Sequence, residues 1–227
     1  MNEVQTININ LIDKKQRMYT IGEEITNAIT HGIGALLSIA GLVIAIVFSA
    51  IYGDAYCVVS SCIYGASLIM LYTMSTLYHS ITNLKAKRVF RTLDHASVFL
   101  LIAGTYTPYC LVTLRGPIGW SIFGVVWAVA ITSIVFSSIS VEKFKKVNFT
   151  CALILGWIIV FAFNPLIDYL NINAIILLIA GGLAYTFGTI FYIINKKRFM
   201  HSIWHIFVIL GSALHYFSIL LYVLPTK

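Results

Sequence analysis

Seven apolar runs, separated by short polar connections, leave this chain of 227 residues few folds to choose from. The runs cover about residues 25–52, 55–81, 94–114, 118–139, 149–167, 172–195 and 201–224. Each approaches or exceeds the roughly 20 residues that a helix needs to cross the hydrocarbon of a bilayer. Inside lipid every backbone N–H and C=O must be bonded within its own segment, and a helix achieves that. Only 10% of the residues are charged, against about 25% in soluble domains. So little charge cannot cover the surface of a water-soluble globule. The expected fold is an all-α integral membrane bundle of seven transmembrane helices. Residues 1–24 form a cytoplasmic tail, 25–224 the membrane domain and 225–227 a short outer C-terminus.

The basic residues set the orientation. Lys14, Lys15 and Arg17 precede the first run. Lys85, Lys87, Arg88 and Arg91 follow the second, Lys143, Lys145 and Lys146 the fourth, and Lys196, Lys197 and Arg198 the sixth. Thirteen of the 15 Lys+Arg thus fall on one side, leaving Arg115 and Lys227 on the other. The alternation holds only for seven spans, and it places the N-terminus in the cytoplasm and the C-terminus outside. The charge excess therefore reads as a topology signal rather than a nucleic-acid surface. The first 24 residues lack the apolar core of a cleavable signal peptide, so the first helix is expected to act as an uncleaved signal. Gly53-Asp54, Gly116-Pro117 and Asn164-Pro165 read as turns between runs. Cys57, Cys62, Cys110 and Cys151 form no C-x-x-C pair and read as small buried residues.

Ionisable side chains in a membrane span are costly and ask for a reason. His31, His79, His95, His201 and His205 all fall near the cytoplasmic ends of their spans, and Asp94 joins them at the start of the third. His201 and His205 are four apart, which puts both rings on one helical face. Ser75 and His79 share the same spacing on the second helix. One histidine from helix two and two from helix seven would supply three nitrogen ligands. Three neutral imidazoles with an open fourth position are a catalytic type of zinc site, which lowers the pKa of a bound water towards about 7. Asp94 could hold that water or act as general base, and Ser75 could hydrogen-bond a developing oxyanion. Each residue also has a plain reading. A lone His pair can snorkel to headgroups, Ser75 can be a packing residue, and Asp94 can cap helix three. His31, Asn27 and His95 are read as neighbours of the ligands; packing alone would also account for His31. His215, about 15 Å beyond His205 along the helix, is too far to share the ion and reads as a packed interior histidine.

Four motifs carry a family resemblance: Glu23-Glu24-x-x-Asn27-x-x-x-His31-Gly32, Ser75-Thr76-Leu77-Tyr78-His79-Ser80, Arg91-x-x-Asp94-His95 with Ala103-Gly104-Thr105-Tyr106-Thr107-Pro108, and His201-x-x-x-His205. Together they resemble the bacterial hemolysin III family, within the progestin and adipoQ receptor superfamily, over about residues 20–224. The resemblance implies a seven-helix bundle in the bacterial plasma membrane with a Zn2+ ion near the cytoplasmic face. It implies ligands at His79, His201 and His205, water-mediated contact from Asp94, and Ser75 nearby. It also implies membrane lipids as the partners. Eukaryotic relatives and alkaline ceramidases point to hydrolysis of lipid amides, and bacterial relatives to membrane fluidity and energy homeostasis, whereas the bacterial label is pore-forming haemolysis. Three functions compete on these terms: a zinc-dependent lipid hydrolase or regulator of lipid state, a pore, and a receptor with a structural zinc. A pore should carry polar residues through its full depth, and here they gather at one end.

Overall fold

The computed structural model describes residues 19–194 and 197–226. Among these residues all regular structure is helical, and seven helices are long and apolar enough to cross a membrane. They are α1 (Ile21–Tyr52), α2 (Ala55–Ser80), α3 (Leu84–Thr113), α4 (Pro117–Ile139), α5 (Val141–Tyr169), α6 (Ile172–Ile193) and α7 (Met200–Val223). Successive helices α1 to α4 pack side by side, α6 pairs with α7, and α7 returns to α1. Large apolar side chains such as Leu36, Ile131, Phe161 and Phe187 point outward, as a lipid-facing surface requires. The expected basic residues Lys14, Lys15, Arg17, Lys196 and Lys227 lie outside the described residues.

Three helices begin earlier than their hydropathy indicates. α3 starts at Leu84 rather than near 94, and α5 at Val141 rather than near 149. Both have a polar first turn behind a side-chain cap. Asn83 Oδ1 accepts from Lys85 N and Ala86 N at 3.0 and 3.1 Å. Ser140 Oγ accepts from Lys143 N at 3.2 Å. The basic clusters of 85–91 and 143–146 therefore ride on helical turns, not in loops. Asp94 is consequently no cap; it sits nearly three turns into α3. α1 likewise starts at Ile21, where Thr20 and Glu23 form a capping box, so His31 lies deeper in its helix than the hydropathic boundary at 25 indicates.

Asn164-Pro165 is not a turn. α5 tightens into a 3₁₀ segment at Ile158–Ala162 and resumes as α-helix at Phe163–Tyr169. Pro165 stands in the first turn of the resumed helix, where a missing N–H costs nothing. In α3, Pro108 removes the bond its N–H would give to Gly104 O, and the helix widens into a π segment over Tyr109–Thr113. The four cysteines are free; Cys57 and Cys110 are buried as expected, but Cys62 is exposed. α2 and α3 approach closely at Gly104, where a Cβ would stand 2.2 Å from Ser67 Oγ and 2.7 Å from Ser67 Cβ.

Side-chain contacts define the two ends of the bundle. At one end Arg115 donates to Asp54 Oδ2 at 2.5 Å, and Thr226 N donates to Tyr52 O at 3.0 Å. The α1–α2 and α3–α4 connections and the end of α7 thus meet there. At the other end Arg91 of α3 pairs with Glu142 of α5. Phe199 N, just before α7, donates to Glu23 Oε1 of α1 at 2.8 Å. This is the end that carries the basic clusters and five of the six histidines, His215 being the exception.

Candidate metal centre

α2 and α7 deliver the three histidines to one point. His79, His201 and His205 each offer a ring nitrogen, and these nitrogens lie within 4.8 Å of one another. All three residues are at least nine-tenths buried. His79 Nδ1–H donates to Glu24 Oε2 at 2.6 Å, which leaves the Nε2 lone pair free. His205 Nδ1 lies 3.3 Å from both Asn27 O and Thr30 Oγ1, and a proton there donates to the carbonyl. His79 Nε2 and His201 Nε2 are buried without partners. An unpartnered buried nitrogen is expensive unless something else binds it.

The set fits a metal of the zinc type. Nitrogens bound to one tetrahedral ion at about 2.0–2.1 Å stand about 3.4 Å apart, so rings whose nitrogens lie within 4.8 Å of one another would draw together around it. The carboxylate on the far nitrogen of His79 and the backbone carbonyl on that of His205 are the outer partners that orient metal-binding imidazoles. Tyr19 stacks on His201, with ring centres 5.0 Å apart and planes inclined by 30°.

The other expected residues fall around this cluster in distinct ways. Ser75 and Asp94 line the same cavity of about 220 Å³ as His201 and His205, and Ser75 Oγ is buried with no partner. His31 stacks on His205 at 3.5 Å with planes 9° apart, and neither of its nitrogens is bonded. Asn27 braces the cluster from α1: its Oδ1 accepts from Ser202 at 2.6 Å. The Asn27 amide nitrogen also lies 3.5 Å from His79 Nδ1, but the shorter Glu24 bond takes that ring proton. His95 turns to its own helix, donating to Arg91 O at 2.9 Å, with Asp94 Oδ2 at 3.6 Å. His215 stands apart, as its distance along α7 requires.

Glu24 stands in the first of the four motifs, but sequence reasoning gave it no role at the site. Besides His79, it meets Lys87 Nζ at 2.9 Å, and Lys87 also donates to Tyr78 O at 2.9 Å. A usable signal existed: Glu24 and Asn27 are three apart and share the face of α1 that carries His31.

The fold and this cluster define a class, a multi-pass helical membrane protein with a three-histidine candidate metal site buried at one end. The haemolysin-III related family model matches residues 19–216. The chain belongs to that family. It is 47% identical to Hemolysin-3 of Bacillus cereus over 95% of this chain and 99% of the relative. It is 47% identical to the Hemolysin-3 homolog of Bacillus subtilis over 90% of this chain and 96% of the relative. A more distant likeness, 27% identity over 88% of this chain and 84% of the relative, is to the human monocyte to macrophage differentiation factor.

Proposed function

We propose that the protein is a zinc-dependent hydrolase that cleaves amide or ester bonds of membrane lipids and so adjusts the lipid state of the membrane. One observation carries this reading. His201 and His205 line the polar end of a largely apolar cavity with Ser75 and Asp94, and His79 joins their cluster, its Nε2 buried without a partner like that of His201. His79, His201 and His205 would hold the ion. The ion would supply an acidified water and a Lewis acid for the carbonyl. Asp94 would accept the proton of the attacking water and return it to the departing amine or alkoxide as the C–N or C–O bond breaks, while Ser75 Oγ–H donates to the carbonyl oxygen as it gains charge. Burial excludes competing water and strengthens both interactions.

Metal analysis of detergent-purified protein is expected to find about one zinc per chain, lost in His201→Ala/His205→Ala. Incubation with ceramide-like and ester lipids should then show turnover by the wild type. Asp94→Asn should keep its zinc and lose turnover by a factor of about 10²–10⁴. A zinc-loaded protein inert towards every lipid class would overturn the reading. A membrane-disrupting activity is the second reading, favoured by the name Hemolysin-3 that the Bacillus cereus relative carries. Dye leakage from liposomes that survives His205→Ala would support it against the hydrolase.

A further inference from the structure

Two of the three candidate ligands are held through the nitrogen that points away from the cluster. His79 Nδ1 meets Glu24 Oε2 at 2.6 Å, and His205 Nδ1 has Asn27 O and Thr30 Oγ1 at 3.3 Å. Such outer partners are what orient metal-binding imidazoles. Among the described residues, nothing bonds to either ring nitrogen of His201, and its Nε2 is buried. Its place in the helix explains this. His95 donates to Arg91 O, four residues back on α3. His201 is the second residue of α7, which starts at Met200, so no complete turn stands behind it to offer a carbonyl.

His201 has an aromatic face instead. The Tyr19 ring lies 5.0 Å from it, inclined by 30°, within the range of a favourable offset stack. Tyr19 also meets His79 at 5.6 Å and 59°. Tyr192 of α6 stands further from His201 and is more inclined, at 6.1 Å and 47°. One carboxylate ties the two partners of the stack together. Glu23 Oε2 accepts from Thr20 N at 2.9 Å and from Thr20 Oγ1 at 2.7 Å. Its Oε1 accepts from Phe199 N at 2.8 Å. Thr20 directly follows Tyr19, and Phe199 stands two residues before His201. Among the described residues, Phe199 alone is a non-glycine with a left-handed backbone, φ 61°. That conformation costs free energy and persists only where the surroundings impose it, and the Glu23 bond to its N–H is one such constraint. The cap of α1 and the turn into α7 thus converge on the placement of one ring against another.

We propose that Tyr19 is a positioning residue for the metal centre, its ring face setting the plane of His201 in place of the hydrogen bond that His79 and His205 each have. The inference rests on the three-histidine metal reading above, and it adds a contact from the segment before α1 to a ligand set drawn from α2 and α7.

The test uses the full chain in detergent, loaded with zinc to measure affinity or with cobalt, whose visible absorption bands report ligand geometry. Tyr19→Phe and Tyr19→Trp keep a flat ring and should hold zinc within about twofold of wild type. Tyr19→Leu keeps apolar bulk without the flat face. It should bind zinc about tenfold more weakly against a competing chelator, with altered cobalt bands. Wild-type zinc affinity in Tyr19→Leu, or a loss that leaves the cobalt bands unchanged, overturns the role. So does a comparable loss in Tyr19→Phe, which would assign the effect to the hydroxyl and decides the matter even if Tyr19→Leu misfolds. A wild type that takes up neither ion overturns the metal reading itself, and this role falls with it.

Discussion

Glu24 Oε2 accepts from His79 while Oε1 faces Lys87, so one carboxylate fixes the tautomer of a candidate ligand and has its own charge balanced. Removing the charge while keeping the shape isolates that role. Glu24→Gln should weaken zinc binding about 10–100-fold, read by competition with a chelator; an unchanged affinity would show that His79 needs no orienting partner. The histidines were legible in the sequence because polar rings in apolar runs stand out and because spacing of four reports a shared face. Glu24 gave only the weaker signal of its spacing from Asn27, since an acid in a first helical turn has an ordinary explanation in the helix dipole. Only the packing of α1 against α2 reveals its second partner. At the opposite end, the Arg115 guanidinium beside Asp54 lowers that carboxyl from its usual 3.8 to about 2. A depressed carboxyl adds stability above its unfolded pKa and loses it as pH falls through the folded one. Melting temperatures should therefore decline between about pH 4 and pH 2, and Asp54→Asn should flatten that limb; exposure of the pair keeps the effect small.

Helices in this bundle are matched by close contact where small residues permit it. Gly104 of α3 lies against Ser67 of α2 with no room for a Cβ, and the obstruction includes the Ser67 Cβ, which cannot rotate away. Gly104→Ala should cost about 1–3 kcal/mol, seen as a lower thermal midpoint in detergent; a neutral result would mean that α2 and α3 slide without penalty. Helix number and order followed from hydropathy alone. The starts of α3 and α5 did not, because their first turns carry lysines and arginines that a hydropathic reading assigns to loops. Asn83 and Ser140 were the available signals, as residues of the capping type. The π segment after Pro108 and the 3₁₀ segment in α5 had no comparable sign, because both depend on how neighbouring helices take up the displaced backbone.

Across the whole molecule, charge asymmetry and contact geometry agree on which helix ends lie together. Reporter fusions should find the N-terminus in the cytoplasm and the C-terminus outside, and moving several lysines from the 143–146 cluster to the α3–α4 connection should yield mixed orientations; a uniform opposite orientation would contradict the charge rule. The clasp between Glu23 and Phe199, with the brace from Asn27 to Ser202, ties the beginning of the bundle to its final helix. The imidazole of residue 79 is made long before those of residues 201 and 205, so the three-histidine set exists only once α7 is in place. A nascent chain halted after Ile193 should retain no zinc, so ion loading would report that insertion has run to its end.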